Sequence, residues 1–187
     1  MIFFTETDLE HDNWFVVVNN TLHDYQYDFI DYYVKNHTFE NAKIRGEIDI
    51  RSTKIMWMTD EDYKKDLTDI YYSCTDFVRK ANSLWGISYS GWEPFQYGEY
   101  SIGDYYDWHI DTLPNGNTVR KVSFSLCLSD EYAGGEFELK TSKDSHVIKL
   151  KKGDMIIFPS FLLHRVRPVT AGTRKTIVGW SRGGSFQ

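Results

Sequence analysis

From Ile87 onward, closely spaced turn signals cut the chain into short apolar runs, and this punctuation limits the fold more than any other feature. Ser90-Gly91, Tyr97-Gly98, Gly103-Asp104, Pro114 to Asn117, Gly134-Gly135, Gly153-Asp154 and Gly172-Thr173 are the breaks. Gly, Asn, Asp and Pro at such places turn the backbone rather than extend it. Between them, Lys121 to Leu128 alternates strictly. Val122, Phe124, Leu126 and Leu128 face one way, and Ser123, Ser125 and Cys127 face the other. Glu136–Lys140, His146–Leu150, Met155–Phe158 and Thr176–Trp180 also read as strands. Short strands at this spacing predict a mainly β sandwich or jelly roll.

The first half is mixed. Trp14 to Val18 reads as a buried strand. Asn19, Asn20 and Thr21 can cap a helix, and Leu22, Tyr25, Phe29, Tyr32 and Tyr33 follow at helical spacing to about Asn36. Ser52 to Met58 resembles a strand. Thr59 to Asp62 is a cap-competent start for a second helix, with Leu67, Ile70, Tyr71, Cys74, Phe77, Val78 and Ala81 on one face and Gly86 as its stop. The expectation is an α+β chain with helices packed on the outside of one sheet. At 187 residues, with no repeat or linker, it reads as one domain over 1–187. Helical and strand support would occupy about 1–86 and the β core about 87–187.

The net charge of −6 argues against a nucleic-acid partner, because phosphate neutralisation needs clustered Lys and Arg. Cys74 and Cys127 cannot make a disulfide framework and fit a reducing compartment. No apolar run is long enough to span a membrane, and Met1 to Glu6 lacks the pattern of a secretory signal. These features predict a cytoplasmic protein and leave its oligomeric state open.

The chemistry centres on His109-Ile110-Asp111 and a distal His164. In an extended segment the first two side chains project to one face. Two His and one carboxylate on one face of an ion, with positions left open, suit non-haem Fe(II) oxygenation. The His-x-Asp spacing is common by chance; its surroundings are not. Upstream stand Tyr100, Gly103 and Tyr106, and downstream Gly153-Asp154, Phe158-Pro159-Ser160, Val166, Pro168-Val169, Gly172 and Arg174.

With these residues in this order, the chain resembles the 2-oxoglutarate- and Fe(II)-dependent dioxygenases of the prolyl 4-hydroxylase group. It is most similar to the small microbial and phage PKHD-type hydroxylases. The resemblance runs from about Ser52 to Trp180 and is strongest from Tyr97. It implies a double-stranded β-helix, the cupin-like jelly roll. It implies His109, Asp111 and His164 as iron ligands, and 2-oxoglutarate and O2 as co-substrates, with ascorbate as an accessory. Arg174 matches the cation that pairs with the distal carboxylate of 2-oxoglutarate, where Arg offers a planar fork. Thr176 shares its strand face, and Tyr100 matches a tyrosine that can donate to the co-substrate. Collagen-type members carry Lys at the Arg174 position. Oxygen-sensing members carry a co-substrate-binding Tyr where this chain has Cys127.

The resemblance also implies a protein or peptide substrate hydroxylated at a prolyl residue. A free amino acid, another protein side chain or a small metabolite remains open. So do a cupin-like jelly roll that binds without turnover and a Zn(II) hydrolase, since two His and one carboxylate also suit zinc. Neither needs Arg174. Among the remaining residues, His146 reads as structural, and His11, His23 and His37 as surface. Trp108 reads as packing, Arg182 as a surface charge ahead of a residue reaching the substrate cleft, and Lys149 to Lys152 as too few bases for a nucleic-acid patch. Gly134-Gly135 reads as backbone geometry. Ser123, Ser125 and Cys127 read equally as pocket lining or a thinly packed face. Residues 112–119 read as a turn near the mouth of the site, either a recognition loop or an ordinary hairpin.

Overall fold

The computed structural model describes residues 14–41, 51–59, 64–112, 114–115, 117–141 and 144–185. Along the chain the strands are β1 (Val16–Val18), β2 (Glu40–Asn41), β3 (Arg51–Ser52), β4 (Lys54–Met58), β5 (Gly91–Trp92), β6 (Phe95–Tyr100), β7 (Tyr105–His109) and β8 (Pro114–Asn115). They continue with β9 (Thr118–Cys127), β10 (Tyr132–Gly134), β11 (Phe137–Thr141), β12 (Asp144–Ile148), β13 (Met155–Pro159), β14 (His164–Val166), β15 (Val169–Gly172) and β16 (Arg174–Gly183). Helix α1 (Asp24–Lys35) lies between β1 and β2, and helix α2 (Lys64–Ala81) between β4 and β5.

Every pairing is antiparallel, and the strands form a double-layered jelly roll. The large sheet runs β1-β13-β9-β16-β6-β4-β2, and the small sheet runs β12-β11-β14-β7-β3. The alternation of Lys121 to Leu128 sorts the two faces of the large sheet. Val122, Phe124 and Leu126 join Ile30, Tyr33, Leu67, Ile70, Phe77 and Val78 in one buried cluster, so the helices cover the outer face. Cys127, Tyr100 and Phe158 join Phe137, Leu139 and Val166 in a second cluster between the sheets. The expected α+β layout, with helices packed on one sheet, is the observed one.

Local differences have simple causes. The cap of α1 is His23, not Asn19 to Thr21; its N–H donates to Gln26 Oε1 at 2.9 Å. The segment before it runs back along the sheet, where Thr21 N–H donates to Gly153 O at 3.1 Å. Helix α2 ends at Ala81, one turn of 3-10 helix follows over Asn82–Leu84, and Gly86 then takes φ +61. The expected start of α2 at Asp60 to Asp62 lies outside the described residues, as does His11. Pro114 and Asn115, read as turn, pair with Val119 and Thr118 as the arm of a tight hairpin. Trp108 is half-buried and packs between Lys140 Nζ at 4.5 Å and the Arg165 guanidinium at 4.6 Å. His37 is half-buried and stacked on Tyr33 at 3.8 Å. His146 does pack structurally, against Phe15 and with Thr141 Oγ1 at 2.8 Å.

Candidate active site

Three strands bring the sequence-predicted residues into one cavity between the sheets. His109 ends β7 and His164 begins β14, and the two are direct partners across the small sheet. Asp111 follows β7 by two residues. Its N–H donates to Ser160 O at 2.9 Å, which fixes the segment against the loop that leads to His164. Asp111 Oδ1 lies 3.7 Å from His109 Nε2, and Oδ2 lies 3.6 Å from His164 Nε2. The three ligand atoms all fall within 4.8 Å of one another, close enough to share one metal ion.

The orientation of each group is set by a second hydrogen bond. His109 Nδ1 contacts Asp107 O at 2.7 Å, and His164 Nδ1 contacts Leu162 O at 2.9 Å. A carbonyl accepts only, so each Nδ1 donates a proton to it and each Nε2 faces the common centre. Ser123 Oγ donates to Asp111 Oδ2 at 2.8 Å and lies 2.8 Å from Ser160 Oγ. Burial and then the neighbouring His164 push His109 down to about 4, so it is neutral at pH 7. Burial alone would raise the Asp111 carboxyl. His164, His109, Arg120 and the Ser123 hydroxyl outweigh it and hold the carboxyl below its usual value. A neutral imidazole at His109 and a carboxylate at Asp111 are the protonation states that a divalent metal requires.

Arg174 begins β16 deep in the same cavity and is 1% exposed. Its Nε and Nη2 are buried and have no hydrogen-bond partner. Its guanidinium lies 5.4 Å from the centroid of Tyr100, its register partner on β6. Gly135, at φ +63, leaves room for it: a Cβ there would stand 3.0 Å from Arg174 Cδ. Thr176 also lines the cavity, but its hydroxyl donates to Leu126 O at 2.8 Å, with Ser125 Oγ 3.1 Å away. Ser123 and Ser125 thus belong to the site. Cys127 lies behind it, with Sγ 3.6 Å from the Tyr132 hydroxyl.

Sequence reasoning missed the groups at the rim. Arg120 pairs with Glu93 at 2.7 Å and stacks on Trp180 at 3.7 Å. Arg182 is not a free surface charge: it pairs with the same Glu93, and its Nε donates to Thr118 Oγ1 at 2.9 Å. Arg51 was also missed, and Tyr106 stood in the sequence motif without an assigned role. The Arg51 guanidinium covers Tyr106 at 4.7 Å, and Tyr106 stacks on His109 at 3.5 Å. Arg51, Arg120 and Glu93 gave no sequence signal.

Residues 95–182 match the family model of the 2OG-Fe(II) oxygenase superfamily. Over that segment the chain is similar to the 2OG-Fe(II) oxygenases. It is 43% identical over 94 residues to a PKHD-type hydroxylase of Stenotrophomonas maltophilia (strain R551-3), covering 46% of this chain and 42% of that one. It is 41% identical over 81 residues to a PKHD-type hydroxylase of Synechococcus sp. (strain CC9902), covering 42% and 36%. The matched segment thus spans less than half the length of these relatives. The fold is similar to that of a Pseudomonas putida prolyl-4-hydroxylase, with TM-score 0.74 and 20% identity, covering 96% of this chain and 97% of that one. A Trichoplax adhaerens prolyl hydroxylase, solved with a hypoxia inducible factor oxygen degradation domain peptide fragment, gives TM-score 0.73 and 22% identity, covering 90% and 83%. The 2OG complex of a viral collagen prolyl hydroxylase from Paramecium Bursaria Chlorella virus-1 gives 0.71 and 22%, covering 91% and 96%.

Proposed function

We propose that the chain is an Fe(II)- and 2-oxoglutarate-dependent dioxygenase that hydroxylates an unactivated C–H bond, taking a peptidyl prolyl residue as substrate and releasing succinate and CO2. The observation that carries this reading is Arg174. A guanidinium with two buried, unpartnered nitrogens is costly. It is accounted for by a carboxylate that arrives with a ligand, in the same cavity as three metal-competent side chains. Neither a metal hydrolase nor a metal-binding jelly roll without turnover needs that cation.

In this reading His109, Asp111 and His164 hold the iron through the two Nε2 atoms and the carboxylate. Bound there, the metal supplies O2 activation coupled to decarboxylation of 2-oxoglutarate. Arg174 takes the far carboxylate of the co-substrate, and Tyr100 and Thr176 flank it. The Thr176 hydroxyl must release Leu126 O before it can donate to that carboxylate. Phe137, Phe158, Val166 and Val178 form apolar walls that keep water from the reacting centre. A prolyl peptide substrate is suggested by the prolyl hydroxylases that share the fold and by the peptide bound to the Trichoplax enzyme. The reading takes 1–187 as one catalytic unit in the cytoplasm, with ascorbate as an accessory; among the described residues no helix is long and apolar enough to cross a membrane.

The test is succinate release from 2-oxoglutarate with and without Fe(II) and ascorbate, beside a mass-shift screen of proline-containing peptides. Succinate should require Fe(II) and vanish in His109→Ala, Asp111→Ala and His164→Ala. Turnover that persists in any one of these variants overturns the ligand assignment.

A further inference from the structure

The cavity holds two arginines with buried, unpartnered nitrogens, and the reaction proposed above uses only one of them. The second is Arg51. It stands on β3 at the edge of the small sheet, opposite Tyr106 in register. Its Nη2 reaches across to the large sheet and donates to Gln96 Oε1 at 2.9 Å. Its Nε is buried and meets no acceptor. Among the described residues no carboxylate pairs with it. The two arginines at the rim differ in this respect, since Arg120 and Arg182 share Glu93.

A purely structural role does not account for this arrangement. Arg51 does cover the Tyr106 ring, and through it the His109 ring, but that contact uses the flat face of the guanidinium. The N–H groups point outward in the plane and still need acceptors. Gln96 takes one Nη2 hydrogen; the Nε–H beside it stays buried and unsatisfied. The co-substrate does not fill the gap either, because Arg174 already takes its far carboxylate in the proposed reaction. What remains is an acceptor carried by the substrate, and a guanidinium edge is matched best by a carboxylate.

We infer that Arg51 binds a carboxylate of the substrate, so that this site selects an anionic molecule. The carboxylate is either an acidic side chain near the reacting residue or the free terminus of a short substrate. This inference rests on the proposed oxygenase reading for the identity of the cavity. Its own chemistry is separate from the metal and from Arg174.

The test is equilibrium binding to the full chain loaded with Mn(II) and 2-oxoglutarate. The probes are labelled peptides with one proline-containing core, flanked by Glu, Gln or Lys, each with a free or an amidated C-terminus. Peptides with a carboxylate should bind about tenfold or more tightly than the Gln amide, the gap expected of one charge-assisted contact. A gap between Glu and Gln assigns the side chain; a gap between acid and amide assigns the terminus. Arg51→Gln should erase the gap, and Arg51→Lys should restore part of it, at an unchanged melting temperature. If Arg51→Gln does not fold, the wild-type series decides alone. Equal binding of all peptides, or none of the acidic ones, overturns the inference. Selective carboxylate binding without Fe(II)-dependent succinate would keep Arg51 and remove the oxygenase reading instead.

Discussion

Replacing Arg174 by Met should move stability and co-substrate binding in opposite directions. In the free protein Arg174 is 1% exposed, and two of its nitrogens have no partner. A buried donor of this kind costs about 1–3 kcal/mol. Met fills similar space without polar atoms, so Arg174→Met removes that cost. It also removes the contact with Tyr100 at 5.4 Å, worth about 0.5–1 kcal/mol. The free protein should therefore gain about 1–2 kcal/mol, or roughly 2–8 °C in Tm at about 2–4 °C per kcal/mol. Binding of 2-oxoglutarate should fall sharply, because breaking a buried ion pair costs about 3–5 kcal/mol, roughly two to four decades in affinity. The assay is thermal denaturation with and without 2-oxoglutarate at fixed Mn(II). A variant that melts several degrees lower, or that keeps the full ligand-induced shift, refutes the reasoning.

Ser123→Ala removes the hydroxyl that donates to Asp111 Oδ2 and should weaken metal binding about 10–100-fold while the fold holds, as read by metal titration. In the metal-free protein His109 sits at about 4 against an ordinary 6.5, so the unfolded chain binds the extra proton between those values and stability falls as pH drops from 6.5 to 4. The lowered Asp111 adds stability above its unfolded pKa and loses it as pH falls, the same sign. Urea denaturation at pH 7 and pH 5 should show the loss, reduced in His109→Gln. Replacing residues 113–117 by a Gly-Ser turn should impair substrate hydroxylation and spare substrate-free succinate formation, since it leaves the ligands and Arg174 in place; equal loss of both would make the hairpin part of the core.

The parts of the site legible in the sequence are those fixed by short-range geometry. His109 and Asp111 are two apart beside a strand, and Arg174 and Thr176 share one strand face, so period-two reasoning puts each pair together. The helices were legible because their apolar faces repeat over several turns. What stayed hidden depends on register between distant strands. Glu93 meets Arg182 because Glu93 leads into β6 while Arg182 lies near the end of β16, and no local pattern encodes that contact. Arg51 gave no signal at all, since a single Arg at a strand edge reads as a surface charge until the second sheet closes over it. Ser123 lay between, flagged by its small-residue face but not assigned to Asp111.

The central claim is that one cavity holds a metal through His109, Asp111 and His164 and 2-oxoglutarate through that metal and Arg174. Anaerobic calorimetric titration tests it most directly. One Fe(II) and one 2-oxoglutarate should bind per chain, with 2-oxoglutarate binding strongly weakened when the metal is withheld or when Asp111→Ala or Arg174→Ala is introduced. Binding of 2-oxoglutarate that is indifferent to the metal and to both substitutions would contradict it.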